Sequence, residues 1–454
     1  MEKTQKGVSV MQTTSSRPLT FTLIADLHYF ENSLGAQGEA YEARSLTDQK
    51  CIAETGAIIE SAFAQIAADT EPGLILIAGD MTFNGEAESH RVIKQKLDAL
   101  RKAGKTIYMI TGNHDGGHEA YAFSGAERFD VEGTRREDLQ EIYFEYMTKH
   151  AIAIYKEGIC YAAKLGPGVR LLGINYDLGP GNSGVEAYME WITGQIADAK
   201  ASGDLILGMM HVPLLPGSPI LSLVGDAKIA NWEHIATELA DAGMPLILTG
   251  HMHMQSVNKL ETPNGNFIYD VCTGSLVGGP CAIRKIEIDE DWRMKITSST
   301  VTDFGWDKNG MTAEEYFVWR FERKVANEIF SMLEKRKLIA KLARGITLGT
   351  VARLLLFRAD ASLKEKKLLD VAIELVRNIF YGDQPYTKGT PEYAYVMKML
   401  RRLRLPVRIA EKKLAAKSEL FRDIPALAAS LIGKETKIDY NAVIDLKTGT
   451  AEEI

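Results

Sequence analysis

Five short clusters of acids, amides and imidazoles each stand where an apolar run stops. They are Asp26-Leu27-His28, Gly79-Asp80, Gly112-Asn113-His114-Asp115, His211 and Gly250-His251-Met252-His253. Carboxylate, amide carbonyl and imidazole together make a borderline-hard ligand set that suits manganese, iron or zinc and argues against a thiolate-type structural zinc site. A carboxylate among them can bridge two ions about 3.5–4 Å apart, an arrangement that activates water at neutral pH and clamps a phosphoryl group. Five such clusters suggest one composite metal centre.

The elements that must deliver these residues are strands. Residues 21–25, 74–78, 106–111, 205–210 and 245–249 are β-rich apolar runs, and in an α/β protein ligands bind at the carboxyl ends of strands. Residues 48–68 and 88–103 have helical spacing and separate the first three runs, which predicts parallel crossovers with helices covering a sheet. Residues 29–47 read as an irregular loop, and 116–154 as a polar helical region with Leu139, Ile142, Tyr143 and Tyr146 at helix intervals. Strands follow at 161–164 and 169–176, helices around 185–201 and 231–242, and three antiparallel strands at 266–273, 282–288 and 294–302. Beyond Phe304 strand signals almost vanish, and helix-like segments broken by Pro and Gly predict a small bundle.

At 454 residues, 46% of them hydrophobic, the chain is long enough for two domains. The charge supports a division: residues 1–305 carry a net −15 and residues 306–454 a net +8, within a total of −7. The expected organisation is a flexible N-terminus over 1–19, a catalytic domain over 20–305 and a helical domain over 306–454. The basic, apolar stretch 337–358 reads as a bundle helix in preference to a membrane-surface helix. Cys51, Cys160, Cys272 and Cys281 show no paired spacing, which points to a reducing compartment. No apolar leader or spanning window is evident, so a cytoplasmic location without a membrane span is expected.

In their order along the chain, the five clusters resemble the five blocks of the calcineurin-like metallophosphoesterases, over roughly residues 20–300. The resemblance implies a four-layer αββα sandwich with two divalent or trivalent metal ions. It implies that Asp26, His28 and His253 hold one ion, that Asn113, His211 and His251 hold the other, and that Asp80 bridges them. His114 matches the family's non-ligand histidine, expected to contact the phosphate and protonate or stabilise the leaving oxygen, with Asp115 orienting it. The implied reaction is phosphoester hydrolysis by a metal-bridging hydroxide.

Departures bear on substrate. Val212-Pro213 follows His211 where many relatives have a second histidine, and Met81 and Gly116-Gly117 stand where the protein phosphatase branch carries arginines, which argues against a phosphoprotein substrate. The runs opening at Asp26-Leu-His-Tyr-Phe and Gly79-Asp-Met-Thr-Phe-Asn look more like the bacterial cyclic-nucleotide-phosphodiesterase branch, some members of which have a helical C-terminal domain. The expected substrate is a small phosphodiester, with a small-molecule phosphomonoester as runner-up. A nuclease and a non-catalytic metal-dependent binding protein are further alternatives. No stable nucleic-acid complex is expected, and the oligomeric state stays open. Tyr29 is a candidate for the phosphate site at even odds with simple packing. His90, His118 and Ser275 lie near the blocks, the two histidines being more often solvated or capping than catalytic.

Overall fold

A computed structural model describes residues 18–116, 119–155, 159–175, 185–223, 227–334 and 345–454. His118 and the greater part of the expected N-terminal segment lie outside these residues, as does much of the basic stretch 337–358.

The order of elements explains the architecture. Strand β1 (Leu19–Ile24) is followed by helices α1 (Glu39–Thr47) and α2 (Thr55–Ala68), then β2 (Leu74–Ala78), α3 (Ala87–Lys102) and β3 (Thr106–Ile110). The hairpin β4 (Tyr121–Ser124) and β5 (Glu127–Asp130), a short helix α4 (Leu139–Ile142) and the antiparallel run β6 (Ala151–Tyr155), β7 (Cys160–Gly166) and β8 (Val169–Ile174) come next. Helix α5 (Val185–Ala201), β9 (Leu205–Met210), helix α6 (Trp232–Ala242) and β10 (Leu246–Thr249) lead to β11 (Ser256–Glu261) and β12 (Phe267–Cys272), then β13 (Ala282–Ile288) and β14 (Arg293–Thr300). The chain ends in helices, the first being α7 (Ala313–Glu334), and two last strands, β15 (Ala442–Asp445) and β16 (Ala451–Glu453).

Two seven-stranded mixed sheets result, in the orders β16-β15-β14-β13-β1-β2-β3 and β11-β12-β10-β9-β8-β7-β6. The period of two along each strand sorts side chains between layers. On β9, Leu205, Leu207 and Met209 join the core between the sheets, whereas Ile206 and Met210 join the cluster under α5 and α6 with Ile192, Ile196 and Leu239. Ile58, Ile59 and Phe63 of α2 and Ile93 and Leu97 of α3 cover the first sheet. The result is the αββα layering expected from the family resemblance.

Several segments depart from the sequence reading. Residues 39–47, read as loop, form α1, because Tyr41 packs against Phe30 and Phe123. Residues 121–130, read as helical, form the hairpin β4–β5, in which Tyr121 and Phe123 face an aromatic cluster with Phe30 and Phe83 and Gly125 makes the turn at φ 58°. Residues 151–155 pair with β7 instead of continuing a helix.

Past Asp303 the chain is helical at Ala313–Glu334, Leu348–Leu354, Leu368–Tyr381, Pro391–Arg402, Arg404–Leu414 and Ile424–Ile432. It is not helical to the end, because β15 pairs with β14 and extends the first sheet. Residues 442–446 are too short to show a strand period, and the exposed edge of β14 selects their conformation. Tyr316 and Phe317 of α7 join the same large core cluster as Ala442 and Ile444, and the Tyr316 hydroxyl donates to Glu54 just before α2. Fully buried Arg284 donates to the carbonyls of Cys272 and Asp439, both at 2.8 Å, and so pins the returning chain to both sheets. Among the described residues no single helix is long and apolar enough to cross a membrane.

Candidate metal centre

Strands β1, β2 and β3 run parallel, so their carboxyl ends lie together; β9 and β10 of the second sheet are parallel to each other and contribute two more ends. The residue runs just past these ends carry all five clusters. Backbone hydrogen bonds knit them: Asp26 N–H donates to Gly79 O and His28 N–H to Asp80 O, each at 3.0 Å, and Gly250 N–H donates to His211 O at 3.0 Å.

Asp26, His28 and His253 bring their ligand atoms into one group, and Asp80, His211 and His251 into a second, each group within 4.8 Å. His28 Nε2 and His253 Nε2 stand 2.8 Å apart. Asn113 joins the second group, its Oδ1 lying 3.1 Å from His211 Nε2 and 2.9 Å from His251 Nδ1. Asp80 Oδ2 stands between the groups, 3.1 Å from His211 Nε2 and 3.5 Å from His28 Nε2. It is buried without a regular hydrogen bond. His211 Nδ1 lies 2.8 Å from the Ala78 carbonyl and His28 Nδ1 3.3 Å from that of Thr82. With Nδ1–H donating there, each Nε2 lone pair points into the cluster, which is how a metal-binding histidine is oriented by its outer partner.

The donors fit a pair of cations for two further reasons. Asp26, His28, Asp80, His251 and His253 all have positive φ, between 41° and 66°. Non-glycine residues rarely adopt this region, and strain of about 1–3 kcal/mol apiece accumulates at sites whose side chains must converge. The motif glycines provide the room. A methyl on Gly79 would sit 2.5 Å from His211 Nδ1, one on Gly250 2.6 Å from Asp26 Oδ2, and one on Gly112 would overlap Asp80 Oδ1.

The electrostatics follow from burial and charge. Burial alone would raise Asp80, but His211 and His28 beside it outweigh that and hold its carboxyl well below the usual range. Burial opposes protonation of His211, yet Asp80 and Asp26 push it up to about 9, so a proton on Nε2 would compete with a cation for this nitrogen. His28 is driven well below the ordinary histidine value, by burial first and then by Lys50.

His114 borders the cluster edge-on to His28, with ring centroids 5.0 Å apart. Its backbone N–H donates to Asp80 Oδ1 at 2.8 Å. Burial and then Lys50 lower it to about 4, so its ring is uncharged at neutral pH. Its orienting partner is Asn84, whose Oδ1 lies 2.8 Å from Nδ1, and Lys50 Nζ is 3.2 Å from Nε2. The expected orienting role of Asp115 is corrected by this geometry. The Asp115 carboxylate accepts from the backbone of Met81, Thr82 and Gly112 at 2.8, 3.0 and 2.9 Å and from the Thr82 hydroxyl at 3.2 Å. A carboxylate with four donors around it clasps the Asp80 and Asn113 loops and has no contact left for His114.

Tyr29 is not brought to the cluster either; it packs in the core, and its hydroxyl donates to Glu31 at 2.5 Å. His90 is buried, with Nε2 3.0 Å from the Asp115 carbonyl and Nδ1 2.7 Å from the Tyr143 hydroxyl, so it braces the Asp115 loop. The Ser275 hydroxyl donates to the Asp26 carbonyl at 2.8 Å, a brace for the first ligand loop. Sequence reasoning missed Lys50 and Asn84. Asn84 stands in a turn-forming run before Gly85, where an amide ordinarily reads as a turn residue. Lys50 lies outside any block.

A model of the calcineurin-like phosphoesterase family matches residues 19–255. No curated protein sequence matches the chain. Similar solved structures include a dimetal phosphatase from Danio rerio, with 14% identity over 64% of this chain and 98% of that one and a TM-score of 0.46. A purple acid phosphatase from yellow lupin seeds has 11% identity over 64% of this chain and 53% of its own, at a TM-score of 0.42. A Haemophilus influenzae NAD nucleotidase has 10% identity over 73% and 62%, at 0.32. Likenesses this remote carry no residue-by-residue correspondence. The family match spans more than half of the chain and takes in every ligand-bearing strand end, and the protein therefore belongs to the calcineurin-like phosphoesterase family and carries a dinuclear metal site.

Proposed function

We propose that this protein hydrolyses a small phosphoester, a phosphodiester such as a cyclic nucleotide in the first place. The observation that carries the hydrolase reading is the position of Asp80 Oδ2 between two separate three-residue ligand groups. Asp26, His28 and His253 would hold one ion, Asn113, His211 and His251 the other, and Asp80 both. The mixed oxygen and imidazole donors suit manganese, iron or zinc. Bound there, the ions supply Lewis-acid activation of water and of the phosphoryl group.

The remaining work belongs to the chain. His114, its ring uncharged and its Nδ1–H donating to Asn84, leaves Nε2 as a proton acceptor at the edge of the site. Buried Thr82 and His90 keep water out of the Asp115 clasp and fix the loops. The diester preference rests on the two motif runs that resemble the cyclic-nucleotide branch. Lys50 supports a second reading, a phosphomonoester, because a buried cation beside the site favours the extra charge of a terminal phosphate.

The test is hydrolysis of bis-p-nitrophenyl phosphate against p-nitrophenyl phosphate by metal-stripped protein reloaded with manganese, iron or zinc, with Asp80→Asn as control. A diester preference lost in the control supports the first reading, and a monoester preference supports the second. Turnover of neither ester by protein with two bound ions would overturn both and leave a binding protein.

A further inference from the structure

We propose that Lys50 and His114 form an anion subsite beside the metal centre that takes a non-bridging oxygen of the substrate's phosphoryl group. This rests on the hydrolase reading above and adds to it a residue from outside every motif block.

The backbone around Lys50 is fixed on both sides. Its N–H donates to Asp48 Oδ1 at 2.9 Å, and the next residue, fully buried Cys51, donates to the Val277 carbonyl at 2.8 Å. The other oxygen of Asp48 is taken by Arg44 at 2.6 Å, so the nearest carboxylate in sequence is already paired. The Lys50 stem runs along the aromatic cluster, with Nζ 5.0 Å from the centroid of Phe83. Nζ then reaches His114, 3.4 Å from Nδ1 and 3.2 Å from Nε2. Among the described residues no carboxylate oxygen lies within 4 Å of it, although the residue is only 6% exposed.

An ammonium taken out of water costs several kcal/mol unless an anion or a full set of acceptors receives it. Here it has one imidazole and the face of one ring. Asp48, Asp80 and Asp26 attract it from farther off, but Asp48 is paired with Arg44 and the oxygens of the other two belong to the ligand groups. A phosphoryl oxygen placed against His114 would complete the set: it accepts from Nζ, and the buried position strengthens that charge-assisted bond. A terminal phosphate dianion gains more from this ammonium than a diester monoanion does, so Lys50 also acts on substrate choice.

The bland alternative is that Lys50 only props the His114 ring. The protein and its Lys50→Gln and Lys50→Arg variants, loaded with the same metal, separate the two. Measured would be metal content, kcat and KM for the two nitrophenyl esters, and inhibition by inorganic phosphate. The expected result for Lys50→Gln is unchanged metal content, phosphate inhibition weakened about 10–100-fold, the scale of one charge-assisted hydrogen bond, and a larger loss of kcat/KM on the monoester. Lys50→Arg should recover part of each. Undiminished phosphate inhibition in an active, metal-loaded Lys50→Gln protein would overturn the subsite. If the parent protein hydrolyses neither ester, the hydrolase reading fails separately. Calorimetric binding of phosphate then decides the subsite, which stands if Lys50→Gln weakens binding and falls if it does not.

Discussion

The carboxylate of Asp115 accepts the backbone N–H of Met81 at 2.8 Å, which fastens the loop after β3 to the loop after β2. Four donors converge on this one side chain, so it is a positioning residue for Asp80 and Asn113. In Asp115→Asn one oxygen becomes an NH2 that faces backbone donors. A buried N–H left without an acceptor costs about 1–3 kcal/mol, and loosened ligand loops should weaken metal binding about 10–100-fold. Chemical denaturation and metal titration read these. Full stability and metal affinity with a loss confined to kcat would instead return Asp115 to the role of orienting His114.

His114 and Asn84 give a different signature. His114→Ala should retain both ions and lose about 10²–10⁴-fold in kcat, the range of a positioned proton-handling group. Asn84→Ala, which frees the ring without removing it, should lose roughly 10–100-fold. Equal rates for His114→Ala and the parent on an activated diester would show that the ring takes no part.

Gly112 has no room for a side chain, because a methyl there would overlap Asp80 Oδ1. Gly112→Ala must push the shared carboxylate aside. Overpacking of this kind costs about 1–3 kcal/mol, and metal content measured by mass spectrometry should fall below two ions per chain. Two tightly held ions in this variant would mean that Asp80 is not shared.

Glu86 supplies a pH dependence. It is fully buried, neither oxygen has a regular partner, and burial pushes its carboxyl up to about 7 from 4.5. The folded protein therefore holds the proton more tightly than the unfolded chain. Stability from this group is present below about pH 4.5 and is lost as pH rises through about 7, on the order of 3 kcal/mol in all. Glu86→Gln should gain on the parent over that window, as read by urea midpoints at pH 5 and pH 8. Parallel behaviour at both values would show that the carboxyl carries no such shift.

The ligand residues and their strands were legible because a short apolar run followed by Gly, Asp, Asn or His is a local signal. Asp26, Asp80, Asn113 and His251 each end such a run, and the helices α2 and α3 between the first runs announce parallel strands by their own period. The hairpin β4–β5 was not legible, because only the aromatic cluster around Phe30 and Phe83 decides where Tyr121 and Phe123 face. The same holds for β15, whose four residues take strand form from the edge of β14.

By itself, then, the sequence determined the α/β alternation of elements and which residue types could bind metal, since periodicity and ligand type are properties of short stretches, while the four layers followed only from the family resemblance. Only the tertiary structure decided the partners. It turned Asp115 from His114 to the backbone of Met81 and Thr82, handed His114 to Asn84, and carried Lys50 to His114 across a separation of 64 residues. Contacts between distant segments depend on how loops cross strand ends, and no period or spacing along the chain records that.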